Sequence, residues 1–152
     1  MKKICLIASS GGHLEEINQL NDVINKYNCY YVVTNTDAAK QNKKYKYFIK
    51  DFNRKNKFVY FLRLIYMFIE QLIIFLREKP DIILTTGAGL VIPTCLYAKI
   101  FRKKIIFIES FARMDDLSKT GKFLYKISDL FIVQWESLTK KYDKAIYGGG
   151  IF

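Results

Sequence analysis

The fold of this chain is decided by the stretch Ile4-Cys5-Leu6-Ile7-Ala8-Ser9-Ser10-Gly11-Gly12-His13. It opens with a run of small and branched apolar residues, which is typical of a parallel strand buried on both faces. In the segment that follows, Leu14, Ile17 and Leu20 recur at helical spacing. A buried strand, a tight glycine turn and an amphipathic helix make the first half of a βαβ unit, which predicts an α/β fold.

The polar end of this stretch is a candidate binding turn. Its glycines allow a sharp turn and the close approach of another group. The helix behind them offers free N–H groups and a positive dipole end to an anion or a polar sugar. The spacing matches neither the dinucleotide nor the Walker fingerprint, so chain geometry alone is the alternative explanation. His13, the only histidine, is a candidate proton acceptor. The residues expected to contact the ligand are Ser9, Ser10, Gly11 and Gly12.

Composition bounds the class of protein. A chain of 152 residues is long enough for one domain, residues 1–152, with a proper core. The formal charge of +11 suggests an anionic partner, whether nucleic acid, an acidic membrane surface or a phosphorylated substrate. Cys5, Cys29 and Cys95 lie in separate apolar runs, which is typical of reduced, buried thiols. With a single histidine, an ordinary zinc site is excluded and no metal is expected.

The longest apolar segment, Phe58 to Leu76, carries 16 apolar residues in 19 and predicts a long helix. Because a strand begins soon after it, at Ile82, we predict a crossover helix with one face on the sheet and the other in the bilayer interface. The alternative is a helix buried entirely in protein. The preceding segment, Lys40 to Lys57, has eight basic residues and one acid, which favours contact with anionic head groups. The residues expected at the membrane are Lys55, Lys57, Phe58, Phe61, Arg63 and Phe68.

Three further polar turns follow predicted strands and begin at Thr86, Glu109 and Gln134. Strands and helices alternate along the chain, which predicts a doubly wound, Rossmann-like parallel sheet. Since the carboxyl ends of parallel strands share one edge, we expect a single crevice there, lined by all four turns. Further residues expected to bind the ligand or its phosphate are Thr86, Gly87, Gly89, Ser110, Arg113, Ser118, Thr120 and Gly121.

Two residues of these turns have alternative explanations. Glu109 is a candidate to bind or orient a substrate, but a carboxylate in a loop also caps neighbouring helix ends. Trp135, the sole tryptophan, either packs in the core or stacks on a partner or a sugar.

Five linked motifs resemble bacterial capsule and exopolysaccharide proteins of the split-glycosyltransferase family. The resemblance covers nearly the whole chain, in order. Its eukaryotic counterpart is the membrane subunit of the dolichol-pathway N-acetylglucosaminyltransferase. The motifs are Ser9-Ser10-Gly11-Gly12-His13, Thr85-Thr86-Gly87-Ala88-Gly89, Ile108-Glu109-Ser110-Phe111-Ala112-Arg113, Leu117-Ser118-Lys119-Thr120-Gly121-Lys122 and Val133-Gln134-Trp135.

The resemblance implies the N-terminal half of a B-type glycosyltransferase. A separate partner chain would hold the UDP-sugar donor, so no cofactor is expected on this chain. This half would bind a lipid-linked saccharide acceptor and dock peripherally on the cytoplasmic face of the membrane, with His13 and Glu109 at the catalytic places. The alternative is a non-catalytic membrane adaptor that recruits and activates a separate glycosyltransferase.

The partner chain is expected to meet the carboxyl-terminal part of the sequence. Residues 145–152 are predicted to be a tail that docks on it. The individual residues expected to contact the partner are Gln134, Trp135, Tyr147, Ile151 and Phe152.

Other α/β classes of this size fit less well. A phosphorelay receiver needs an acidic pair after its first strand, where this chain has Ser9 and Ser10. A flavodoxin-like flavin carrier is unusual at a pI ≈ 9.5. An RNA-binding protein fits the charge, but the basic residues cluster beside an apolar helix rather than on an aromatic-studded sheet. No nucleic-acid partner is therefore expected.

Overall fold

The computed structural model describes residues 1–50 and 57–151, which contain one seven-stranded parallel sheet. Its spatial order is β3-β2-β1-β4-β5-β6-β7, and the direction of winding reverses between β1 and β4. The predicted doubly wound, Rossmann-like sheet is confirmed. The strands are β1 (Lys3–Ala8), β2 (Asn28–Thr34), β3 (Tyr47–Ile49), β4 (Ile82–Gly87), β5 (Lys104–Ile108), β6 (Leu130–Val133) and β7 (Ala145–Tyr147). The helices are α1 (Gly12–Asn18), α2 (Asn21–Lys26), α3 (Asp37–Gln41), α4 (Lys57–Glu78), α5 (Ile92–Ile100) and α6 (Lys119–Leu124).

Local chemistry moves some boundaries from where the sequence pattern places them. The predicted first helix separates into α1 and α2 around Gln19 and Leu20, where the flanking asparagines are weak helix formers. Helix α6 begins at Lys119 because the Ser118 side chain accepts a hydrogen bond from the backbone N–H of Gly121 and caps the helix. The first residues of the predicted tail, Ala145–Tyr147, form β7 against β6, and docking of the tail on a partner stays a prediction.

Side chains that alternate along the strands form two buried layers, one on each face of the sheet. On one face, Ile7 lies in a layer with Met67 and Phe75 of α4. On the other face, Leu6 lies in a layer with Leu14 of α1. Because both faces of the central strands are covered, these strands are continuous apolar runs in the sequence, and this is why the runs predicted them.

Helix α4 contacts the protein with one side only. Met67 and Phe75 are buried against the sheet. Gln71 is also buried, and its Oε1 accepts hydrogen bonds from the N–H and the hydroxyl of Thr94, at 3.0 and 2.6 Å. Its Nε2 donates to the Leu90 carbonyl at 2.8 Å. Gln71, a polar residue in an otherwise apolar helix, therefore holds α4 against the beginning of α5.

The side chains exposed on α4 match the residues expected at the membrane only in part. Phe68 packs edge-on against the Tyr97 ring, with the ring centres 6.4 Å apart, and so faces α5 instead of lipid. Phe61 and Arg63 are exposed. The predictions for Lys55, and for the side chains of Lys57 and Phe58, lie outside the described residues. The exposed side carries a row at helical spacing, here called the α4 stripe: Leu62, Ile65, Tyr66, Ile69, Ile73 and Leu76.

The buried carboxylate of Glu78 joins α4 to β1 and β3 at the amino-terminal edge of the sheet. It lies 2.5 Å from Lys3 Nζ and 2.7 Å from Lys46 Nζ, and the Tyr47 hydroxyl donates to it. Burial by itself raises the pKa of Glu78, but these hydrogen bonds outweigh it and lower the pKa to about 2. Lys46 therefore belongs to this ion-pair cluster rather than to the head-group contacts predicted for the basic segment.

We expect Glu78→Gln to lower the free energy of unfolding at pH 7 by about 2–3 kcal/mol, because the ion pairs of Lys3 and Lys46 with this buried carboxylate are lost. The pKa of Glu78 is lowered on folding, so its contribution is complete above the ordinary value near 4.5 and is lost as the pH falls toward 2. The loss should accordingly shrink at pH 3 in urea unfolding experiments. Glu136→Gln, at an exposed position, is the control. An equal loss at both pH values would contradict this account.

Candidate functional site

The candidate site lies at the carboxyl edge of the sheet, between β1 and β4, where the winding reverses. The turn after β1 passes through Gly11, whose φ of 96° is a conformation that side chains disfavour. The turn after β4 passes through Gly87, with a φ of 121°. A Cβ added at Gly11, Gly12 or Gly89 would meet nothing within 4 Å. Both turns therefore face open space that another molecule can occupy.

His13 is held at the rim of this space by both turns. Its carbonyl accepts a hydrogen bond from Thr86 Oγ1 at 2.6 Å, which joins α1 to β4. Its ring lies over Gly87, where an added Cβ would come within 3.3 Å of the imidazole Cε1. The side chain is 29% exposed. The structure thus brings the first two predicted turns together around the imidazole.

Glu16 is a site residue that the sequence reasoning missed. It is only 2% exposed, and its Oε2 lies 3.8 Å from His13 Nδ1. Both of these atoms are buried and lack a hydrogen-bond partner among the described residues. A carboxylate that faces Nδ1 can orient an imidazole ring. The available signal was a glutamate three residues after His13, beside Ile17 on the helix face predicted to be apolar.

The second oxygen of Glu16 holds the loop after β5. Glu16 Oε1 accepts hydrogen bonds from Ser110 Oγ at 3.0 Å and from the backbone N–H of Phe111 at 2.8 Å. Ser110 is therefore engaged with α1 and does not point into the open space. One buried carboxylate thus fixes both the loop after β5 and the surroundings of His13.

Glu109 lies beneath the surface, with 1% exposure. Its Oε1 accepts from the N–H of Ser110 at 3.0 Å, and its Oε2 accepts from the N–H and hydroxyl of Ser118 at 3.0 and 3.2 Å. Burial raises the pKa of Glu109, although these hydrogen bonds and the charge of Arg113 act against the rise. These contacts are those of a carboxylate that binds a neighbouring helix end, which is the alternative explanation. They leave neither carboxylate oxygen facing the crevice, and a catalytic role for Glu109 stays a prediction.

Ser118 and Gly121 serve the same carboxylate. Ser118 caps α6 while it donates to Glu109. Gly121 packs so closely that an added Cβ would lie 1.9 Å from Glu109 Oε2. These two predicted binding residues therefore pack against the Glu109 carboxylate inside the protein. Arg113 is exposed and Thr120 is half-buried, so both stay predictions.

The two serines of the first turn have different surroundings. The backbone N–H of Ser10 donates to Thr34 Oγ1 at 3.2 Å and its hydroxyl donates to the Thr34 carbonyl at 3.1 Å, which ties the turns after β1 and β2 together. Ser9 lies at a largely apolar cavity of about 530 Å³ between α4 and α5, which also opens at Gly89. Ser9 and Gly89 are thus placed where a ligand can reach them.

The predicted partner contacts separate into buried and exposed residues. Gln134 is buried, donating from Nε2 to the Glu109 carbonyl and accepting at Oε1 from the N–H of Ile151. Gln134 therefore holds the chain's own tail and is not free to meet a partner directly. Trp135 Nε1 donates to the Phe111 carbonyl at 2.6 Å, and the two rings pack at a tilt of 37° with their centres 4.8 Å apart. Tyr147 is 51% exposed on the edge strand, whereas Phe152 lies outside the described residues.

No group of three or more His, Cys, Asp or Glu side chains within residues 1–50 and 57–151 has an arrangement that suits a metal ion. The polar chemistry at the open edge is therefore that of one imidazole, one carboxylate and the main-chain groups of the glycine turns.

The sequence matches the family model of Alg14-like oligosaccharide biosynthesis proteins over residues 4–151. The human UDP-N-acetylglucosamine transferase subunit ALG14 is 34% identical over 178 aligned residues, covering 97% of this chain and 82% of the human protein. The subunit of the same name from Candida albicans is 41% identical over 91 residues, covering 56% of this chain and 42% of that protein.

Two solved structures share the fold at low sequence identity. Acinetobacter baumannii MurG superposes with a TM-score of 0.70 at 14% identity, covering 90% of this chain and 43% of MurG. A UDP-N-acetylglucosamine 2-epimerase from Rickettsia bellii superposes with a TM-score of 0.74 at 17% identity, covering 99% of this chain and 45% of the epimerase. The fold resembles the N-terminal domains of B-type glycosyltransferases. The chain spans less than half the length of these two proteins.

We expect Gly121→Ala to destabilise the protein by about 2–4 kcal/mol. The added methyl group displaces the buried Glu109 carboxylate and leaves the hydrogen-bond donors of that carboxylate without an acceptor. Urea unfolding of the purified chain measures this loss. Gly89→Ala, where the added Cβ meets open space, is the matched control and should change stability by less than about 0.5 kcal/mol. Similar losses in the two variants would argue against the packing described for Glu109.

Proposed function

This chain belongs to the Alg14-like family of oligosaccharide biosynthesis proteins, and from that premise we propose that it is one subunit of a two-chain UDP-sugar glycosyltransferase. In this proposal it binds the acceptor, a lipid-diphosphate-linked saccharide, and docks on the membrane. A second, donor-binding chain completes the enzyme. The human relative is named as a transferase subunit, which supports a division of labour between chains.

The observation that carries the proposal is a crevice that the described residues border on one side. The glycine turns after β1 and β4 face open space, with the imidazole of His13 at its rim. A single lobe of this kind supplies one wall of a cleft, and closure by a second lobe is what excludes water from glycosyl transfer. A donor-binding chain above the two turns would supply the missing wall.

The chemistry at this edge fits removal of a proton from an acceptor hydroxyl. His13 Nδ1 faces Glu16, which leaves Nε2 to accept that proton as the acceptor oxygen bonds to the anomeric carbon of the donor. The bond from that carbon to the diphosphate breaks, and its electron pair leaves with UDP. Glu16 then stabilises the imidazolium. Glu109 acts here as a positioning residue, because it is buried under α6.

Membrane docking is supported by the α4 stripe. All six of its large apolar side chains are exposed, with Ile73 reaching 61%. By length and composition alone, residues Val59–Glu78 are sufficient to cross a bilayer. The strand after α4 pairs with β1, so we propose that the helix lies in the interface on the cytoplasmic face of the membrane, with the stripe in contact with lipid.

Partner docking is proposed at the open edge of the sheet. Ile146 and Tyr147 of β7 are 55% and 51% exposed, and the tail folds back beside them through Ile151. Exposed apolar side chains on an edge strand are suited to a permanent partner chain. The capsule or exopolysaccharide setting stays a prediction from the motifs, because the description of the family refers to oligosaccharide biosynthesis in general.

A specific observation also favours the adaptor as a second candidate function. One of the two residues predicted for chemistry, Glu109, is fully occupied by hydrogen bonds inside the chain. If His13 likewise contributes nothing to turnover, this chain recruits and activates its partner without chemistry of its own.

The catalytic proposal predicts that His13→Ala lowers turnover more than tenfold in the reconstituted pair, because the acceptor loses its base, in line with the roughly 10²–10⁴-fold of general-base catalysis. Transfer from a panel of UDP-sugars to a lipid-diphosphate saccharide measures this, and co-purification checks that the two chains still associate. Glu15→Ala, on the exposed side of α1, is the control. Unchanged turnover in His13→Ala would leave the adaptor function.

The docking proposal predicts that Ile69→Glu combined with Ile73→Glu abolishes flotation with vesicles containing phosphatidylglycerol, since two charges then enter the apolar contact. Each charge costs about 2.5–3.5 kcal/mol in the hydrocarbon core. Ile100→Glu, at a residue 70% exposed on another helix, should leave flotation intact. Equal flotation of both proteins would place the membrane contact away from α4.

A further inference from the structure

A cavity of about 640 Å³ lies beyond the carboxyl ends of β2 and β3, beside the first half of α4. Its volume is within the range of small-molecule sites. Neither the predicted turns nor the proposed reaction uses it. The polar and aromatic residues that line it are Asn35, Lys40, Lys50, Arg63, Tyr66 and Glu70.

The charge of this cavity is positive. Three cationic side chains face one carboxylate, and Arg63 has no ion pair within residues 1–50 and 57–151. Within the described part of the chain, the ion pair of Lys40 is with the fully exposed Asp37, at 3.8 Å, a contact of little strength. Guanidinium and ammonium groups are the usual recognition set for a phosphoryl group.

Besides a phosphoryl group, the ligand needs a hydrogen-bond donor for Glu70. Its Oε2 is buried and has no hydrogen-bond partner in the described part of the chain. Burial raises the pKa of Glu70, and the charge of Lys50 acts against the rise. A buried carboxylate oxygen normally accepts a hydrogen bond. A sugar hydroxyl or an amide N–H can donate the hydrogen bond that this oxygen lacks.

The spacing of the two ends fits a sugar phosphate. Arg63 and Glu70 lie seven positions apart on α4, which separates them by about 10 Å along the helix axis. Tyr66 lies between them and supplies an aromatic wall. A phosphoryl group at Arg63 and a hexose at Glu70 together span a distance of this order.

The cavity adjoins the crevice of the proposed transferase. Met67 lines both this cavity and the apolar cavity that opens at Ser9 and Gly89. Ser10 also bonds to Thr34 at the end of β2, so the two sites share one continuous edge. We propose that this cavity binds the phosphorylated saccharide of the acceptor, with Arg63 and Lys50 on the phosphoryl group and Glu70 on a sugar donor group. This inference rests on the proposed function.

Binding of N-acetylglucosamine 1-phosphate to the full chain, followed by isothermal titration without partner or UDP-sugar, tests the cavity. Arg63→Gln and Lys50→Gln should each weaken binding about tenfold, through loss of a charge-assisted hydrogen bond. Glu70→Gln should weaken the sugar phosphate severalfold and leave inorganic phosphate within about twofold. Arg77→Gln, an exposed arginine on the same helix, removes the same charge away from the cavity and should bind like the wild type.

Three results would overturn the assignment. One is equal weakening by Arg77→Gln, which would indicate general attraction to a basic protein. Another is binding of inorganic phosphate as tight as that of the sugar phosphate. The third is binding of phosphatidylglycerol vesicles that depends on Arg63 in a protein that ignores the sugar phosphate, which would make the cavity a phospholipid head-group site. Thermal unfolding of each variant verifies that it is folded.

The transfer assay separates this inference from the proposed function. If Arg63→Gln keeps full transfer in the two-chain enzyme and keeps sugar phosphate binding, the cavity assignment is wrong. If wild-type chain binds the sugar phosphate through Arg63 and Glu70 but the pair transfers no sugar, the proposed function is wrong and the cavity stands.

Discussion

Two buried carboxylates, Glu16 and Glu109, organise the carboxyl edge of the sheet. A carboxylate that leaves water must find hydrogen-bond donors, and both residues find them in the segment after β5. That segment is therefore fixed against α1 on one side and α6 on the other. The close approach of Gly121 to Glu109 and the placement of His13 beside Glu16 both depend on this arrangement.

This arrangement gives the two carboxylates different relations to the open crevice. Glu109 uses both oxygens inside the protein, whereas Glu16 keeps one oxygen directed at the imidazole of His13. The residue that can influence a proton at the open edge is therefore the one on the helix, not the one at the end of a strand. The turns after β1 and β4 approach His13 with a glycine each, Gly11 and Gly87, so no side chain of these two residues covers the carboxyl edge of the sheet.

Helix α4 shows how one apolar segment serves several surroundings. Met67 and Phe75 pack on the sheet, Gln71 bonds to the start of α5, and the α4 stripe is exposed. The polar residues that interrupt this apolar helix each have a contact or a cavity that accounts for them. Gln71 satisfies backbone groups of α5, while Arg63 and Glu70 line a charged cavity. Periodicity along a helix that is apolar all round does not reveal which side meets protein, and only the packing of α5 shows that Phe68 contacts Tyr97.

The sequence by itself determined the parallel sheet, the order of its elements and the glycine turns at one edge. Those features depend on short-range patterns: apolar runs, turn residues and helical spacing. The tertiary structure alone decided that Glu109 is buried under α6, that Glu16 faces His13, and that residues 145–147 form a seventh strand. Each of these depends on contacts between residues far apart in the chain. A carboxylate has the same appearance in a sequence whether its partners are water, a helix end or an imidazole, and only the packing of distant segments distinguishes them.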